Sequence, residues 1–170
     1  MFLRIKSAVV IFAIASISSA NACTFINLPI NPISPEKIDT FLGESEVIDI
    51  KFNNEKTEGK IEVFPDSPLI VTNKKTNSTC SIDGGVWVRK DVYVSDDNTV
   101  IMAHEFSGSN DFLSFYATQS CKKIGEIDIS NSMWTVEKLR ISVSKQGATN
   151  GKKPIKPRIY SLSKYCTHTN

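Results

Sequence analysis

Few residues in this 170-residue chain have the chemistry of a reactive centre. It holds two histidines, His104 and His168. His104, Ser107 and Asp111 together supply the base, hydroxyl and carboxylate of an acyl-transfer triad, an arrangement defined by geometry rather than chain order. All three fall in one expected hairpin, however, and there is no G-x-S-x-G elbow to expose the serine. His104 also sits mid-strand in TVIMAHEF, in register with Val100 and Met102, and reads as a half-buried, hydrogen-bonded side chain. Cys166-Thr167-His168 places two metal-ligand types one residue apart, with no C-x-x-C or H-x-x-x-H to complete a set. Asp83-Gly84-Gly85 and Asp96-Asp97-Asn98 have turn chemistry and lack the alternating oxygen ligands of a calcium loop. No glycine-rich phosphate cradle is present. The sequence therefore points to a protein that is not an enzyme and uses no metal and no cofactor.

Contact chemistry is easier to find. Lys152, Lys153, Lys156 and Arg158 lie in KKPIKPR, where alternating prolines hold the backbone extended and the charges outward. Asp96 and Asp97 form a polar tip in SDDN, and SGSN at 107–110 makes a second tip. These residues are the sequence's candidates for binding a partner. Over residues 23–66 there are nine acids and four bases, whereas 121–170 carries three acids and ten bases. The chain is thus a dipole, able to steer an encounter with a charged partner. From residue 23 onward, 18 bases balance 18 acids, which argues against nucleic acid as that partner.

Residues 1–22 read as a cleaved export signal. Arg4 and Lys6 precede the apolar run AVVIFAIA, and Ala20-Asn21-Ala22 is the small-x-small pattern of a signal peptidase site. The run is too short to span a bilayer, and no later one is longer. Cys23 would then be the first mature residue, which raises lipidation. Ala20, three positions before it, is a poor match to the aliphatic residue usual there, so a soluble periplasmic or secreted protein is expected. Cys23, Cys80, Cys121 and Cys166 are an even set in an oxidising compartment, hence two disulfides. Spacing does not choose among three pairings. Cys23–Cys166, tying the termini, with Cys80–Cys121, clipping the central strands, is the favoured one.

Residues 23–170 read as one domain built mainly from short strands. Ser34 as N-cap, Pro35 at the first position and Gly43 as stop predict one short N-terminal helix, with Ile38, Phe41 and Leu42 on its apolar face. After residue 46 the apolar period becomes two. EVIDIKF and KIEVF predict a hairpin, and LIVT a further strand. VWVRKDVYV, TVIMAHEF, DFLSFYA and IGEIDI predict a four-stranded meander, with Val86, Val88, Val92 and Val94 on one face of the first strand. LRISV and RIYSLSKY are later strands, while MWTVE is ambiguous between helix and strand. With so little helix to cover a sheet, sheet must pack on sheet: an antiparallel sandwich or small barrel.

A crosslinked β scaffold, polar tips and no catalytic set together indicate a small exported binding protein. It would occlude a partner protein in the envelope or extracellular space, as an inhibitor or immunity protein does. The alternative is a structural or surface assembly subunit, adhesin-like; a hydrolase centred on His104 ranks behind both.

Overall fold

The computed structural model describes residues 23–54, 63–65, 68–145 and 156–166. Its strands, in chain order, are β1 (Phe25–Asn27), β2 (Asn31–Ser34), β3 (Lys37–Glu44), β4 (Ile48–Asn53), β5 (Val63–Pro65), β6 (Leu69–Asn73) and β7 (Ser78–Ile82). They continue with β8 (Val86–Ser95), β9 (Val100–Ser107), β10 (Asn110–Ala117), β11 (Lys123–Asp128), β12 (Ser132–Glu137), β13 (Arg140–Lys145) and β14 (Arg158–Ser161). A 3-10 turn, Leu162–Lys164, follows β14.

The expected meander forms the central sheet, ordered β1-β8-β9-β10-β11 and antiparallel throughout. β8 is long enough to pair β1 along its second half and β5 along its first. A second sheet runs β2-β3-β4-β6-β7, and a third β12-β13-β14. The architecture is therefore layered, with the central sheet covered on both faces. On one face Trp87, Val92, Val94, Ile101 and Ala103 pack against Ile48, Ile50, Phe52 and Leu69 of the second sheet. On the other, Val100, Met102, Leu113, Phe115 and Ile127 meet Ile141 and Val143 of the third sheet, with Leu162 and Tyr165. Double coverage explains why TVIMAHEF reads as a nearly continuous apolar run: a strand buried on both faces has no solvent side to mark with polar residues.

The structure corrects three expectations. Residues 34–43 form no helix. Ser34 ends β2, Pro35-Glu36 is the turn, and β3 returns alongside β4, with Phe41 opposite Phe52. Ser34 still acts locally, its Oγ accepting a 3.4 Å bond from Glu36 N–H, but as a turn residue. The helix preference of 35–42 is outweighed by the ladder to β4 and the ring contact, 6.2 Å between the centroids of Phe41 and Phe52. Nor does EVIDIKF pair the described end of KIEVF, Val63-Phe64: β4 lies between β3 and β6, and β5 pairs β8, while residues 60–62 lie outside the described residues. The third correction concerns β8. Its register shifts between Trp87 and Val92, so Trp87 lies in the same core as Val92 and Val94 instead of opposite them. Five steps along β8 answer two along β9, and an odd excess of three residues reverses the alternation beyond the bulge. MWTVE resolves as β12, and its hairpin to β13 turns at Lys138-Leu139.

Cys23 is joined to Cys166, Cα–Cα 5.5 Å, and Cys80 to Cys121, Cα–Cα 5.8 Å. The first ties β1 to the segment after the 3-10 turn, where Tyr165 stacks on Phe115 at 3.6 Å. The second ties β7 of the second sheet to the turn after β10. Among the described residues, no helix is long and apolar enough to cross a membrane.

Candidate functional site

The central hairpins place their tips at opposite ends of the sheet. β9 and β10 each run eight residues, so the ends stand about 26 Å apart at roughly 3.3 Å per residue. The β8–β9 tip, with Asp96 and Asp97, is at one end. The β9–β10 tip, Gly108-Ser109, is at the other, and a two-residue loop joins Ser107 to Asn110. Gly108 has φ +64°, which an L side chain rarely adopts, and a Cβ there would meet nothing within 4 Å. Residues 107–110, which form this tip, are all exposed.

Its base is held by a buried polar clamp. His104, 8% exposed, lies on β9 between two carboxylates: Nδ1 is 3.0 Å from Asp91 Oδ2, and Nε2 is 2.6 Å from Asp111 Oδ1. A ring nitrogen that faces a carboxylate is best satisfied as a donor, so two such partners favour the imidazolium form. Burial by itself would lower the His104 pKa. The hydrogen bonds to Asp91 and Asp111, reinforced by their charges, outweigh it and raise the pKa above its ordinary value. Trp134 meets the ring edge-on at 5.5 Å, and Phe106 lies 5.0 Å away. Asp111 N–H donates to Ser130 Oγ at 2.9 Å, linking β10 to the turn after β11. The clamp therefore joins β8, β9 and β10 just below the tip. Asp111 does face His104, as a triad would need. Yet both ring nitrogens are already hydrogen-bonded to carboxylates, so neither is turned toward Ser107.

A second polar network lies on the opposite face of β9. Glu105, with 9% of its side chain exposed, accepts hydroxyl bonds from Ser114 and from Tyr116 at 2.9 Å. Lys123 Nζ lies 2.6 Å from Glu105 and 2.7 Å from Glu126. Burial and the Glu105 charge push the Tyr116 hydroxyl far up, so it remains a donor. Burial would lower the Lys123 pKa, but its bonds to the two glutamates raise it. Glu105 sits at the floor of an open cavity of about 610 Å³, walled by Asp83, Gly85, Phe112 and Glu126.

The contact residues expected from sequence are split between the two ends. Asp96 Oδ2 accepts from Thr24 Oγ1 at 2.8 Å, and Asp97 Oδ1 accepts from Ser95 Oγ, Thr99 N–H and Thr99 Oγ1 at 2.6–3.0 Å. Lys156 and Arg158 are exposed and border a small cavity with Asp128 and Ser130, near the β9–β10 end. Lys152, Lys153 and His168 lie outside the described residues. Cys166 is in a disulfide and offers no thiolate to a metal. Sequence reasoning did not single out Asp91, Glu105 or Lys123. The available signal was His104-Glu105, two ionisable residues inside an apolar strand, which only buried partners could stabilise.

The Tsi1 family model, described as "Immune protein Tsi1", matches residues 23–164. The chain belongs to that family. The immune protein Tsi1 of Pseudomonas aeruginosa (strain PAO1 and its synonyms) is 36% identical to it over 125 residues, covering 71% of each chain. The matched residues take in all fourteen strands.

Proposed function

We propose that this is an exported immunity protein that binds a toxin protein and blocks it, with the β9–β10 end as its docking surface. Membership of an immune protein family across residues 23–164 carries the reading. The geometry supports this end in particular. The tip at 107–110 is exposed, while the His104 clamp holds its base, and a preorganised loop loses little entropy on binding. Residues 1–22 act as a cleaved leader to the periplasm or beyond, and residues 23–170 form one mature domain, not lipidated at Cys23. The protein binds and occludes; it does not catalyse.

Lys156 and Arg158, with Lys152 and Lys153 in the same basic segment, supply a positive flank that speeds the encounter with an acidic partner surface. At the far end Asp96 offers a second, separate contact, and Asp97 serves it by holding the turn.

Pull-down from the native envelope with the wild-type protein should recover one stoichiometric protein partner. Ser109→Arg should lose it, because a large side chain at the free tip obstructs docking without touching the fold. Asp96→Asn tests the opposite end in the same assay. Recovery of no partner by the wild type, or undiminished recovery by Ser109→Arg with an unchanged melting temperature, would count against the docking surface.

A further inference from the structure

The small cavity where the third sheet meets the end of β11 carries a charge arrangement that the fold does not explain. It has a volume of about 110 Å³ and is lined by Asp128, Ser130, Ser132, Lys145, Lys156 and Arg158, with Val143 at its base. Arg158 on β14 pairs Val143 on β13. Continuing that antiparallel register by two residues sets Lys156 opposite Lys145. Like charges directly opposed on neighbouring strands are destabilising. Among the described residues, none of Lys145, Lys156 and Arg158 forms an ion pair.

The single acid present does not neutralise them. Asp128 Oδ1 accepts the Ser130 N–H at 2.8 Å and so closes its own turn. The hydrogen bonds from Ser130 hold its pKa below the ordinary carboxylate value, with the charges of Lys145 and Arg158 adding to that. Three cations against one carboxylate leave a net charge of +2 around a space the size of one small oxyanion. Two serine hydroxyls line the same space. Ser132 Oγ donates a long bond, 3.2 Å, to Ser130 O, and can turn inward at little cost.

We propose that this pocket binds a single phosphate group. Free phosphate, with one to two negative charges near neutral pH, comes nearest to the net charge of the lining; a phosphodiester headgroup carries one, and its tetrahedral oxygens can meet cations on several sides as a planar carboxylate cannot. A guanidinium and two ammonium groups are the donors that phosphate recognition uses, and the serines add neutral donors. The group has two sources in an exported protein's surroundings: the headgroup of an anionic phospholipid, or free phosphate. The pocket would fill in the absence of any toxin, so its test needs none.

Titrate the purified protein with inorganic phosphate in 0.15 M NaCl and follow backbone amide shifts. One saturable site with a Kd of about 1–10 mM is expected, with shifts confined to Ser130, Ser132, Lys145 and Arg158 and their neighbours. Lys156→Gln combined with Arg158→Gln should weaken it about tenfold or more, while Lys51→Gln, on the second sheet, should not. Failure to saturate, shifts spread over lysines throughout the protein, or a double variant that titrates like the wild type would each overturn the proposal. Co-sedimentation with phosphatidylglycerol vesicles, against phosphatidylcholine vesicles, then separates the sources. Vesicle binding that free phosphate displaces assigns the lipid headgroup. Saturable phosphate binding without vesicle binding assigns the free ion.

Discussion

The two ends of the central sheet use the same kinds of residue for opposite purposes. At the β8–β9 end the polar side chains are turned inward on their own loop. Asp97 accepts from Ser95 and Thr99, and the buried Ser95 Oγ accepts from Thr99 N–H and Val100 N–H. Asn98, at φ +58°, accepts a bond from Ser45 of the second sheet at 3.0 Å. That tip is fastened to its neighbours. At the β9–β10 end the polar groups sit below the tip, in the His104 clamp, while residues 107–110 are exposed and a Cβ on Gly108 would meet nothing. A carboxylate at a hairpin tip is thus not in itself a contact group: what matters is whether its acceptor capacity is already used.

The largest test of this contrast removes the clamp. His104→Ala leaves Asp91 and Asp111 facing one another without their shared cation, and should cost about 2–3 kcal/mol, towards the lower end for a broken pair because both aspartates keep some solvent. Urea denaturation measures the loss. Amide exchange should quicken at 107–110 and leave 95–99 unchanged; equal quickening at both ends would break the distinction. The effect depends on pH in a defined sense. The folded pKa of His104 lies above the unfolded value of about 6.5. Its contribution is therefore complete below about pH 6.5 and disappears as pH rises through the folded value. The stability gap between wild type and His104→Ala should be widest under mildly acidic conditions and narrow in alkali.

Asp97→Ala at the fastened end comes next. It removes three short acceptor contacts and should cost about 1–2 kcal/mol, seen as a lower melting temperature, with exchange quickened at 95–100 alone. The smallest change is Gly108→Ala at the free tip. The added methyl group meets nothing, so the cost is the left-handed backbone only, about 1 kcal/mol. A larger loss would show that the tip rests on something. A separate check falls on Gly125, where a Cβ would stand 2.5 Å from Tyr165 Cε1. Gly125→Ala should unseat Tyr165 from Phe115 and destabilise both ends together.

Much of the architecture was legible in the chain. The meander from β8 to β11 follows from period-two alternation interrupted by SDDN and SGSN, since alternation and turn chemistry are local properties. The immunity-type reading followed from what such a scaffold, with no complete catalytic set, is able to do. The helix expected at 34–43 failed because capping residues and a short i, i+3, i+4 pattern are weak beside a ladder with a distant strand. The bulge in β8 was hidden because VWVRKDVYV alternates apart from Lys90 on its valine face, and the three extra residues between Trp87 and Val92 show themselves only against a partner.

The order of residues was thus enough to determine strands, turns and an even set of cysteines, each of which depends on neighbours a few positions apart. Tertiary structure alone decided that His104 is a shared cation between Asp91 and Asp111, that the two tips point away from each other, and that Lys145 and Lys156 face across one cavity. Those outcomes depend on which strands pair and in what register, and strand pairing is set by contacts between residues far apart in the chain.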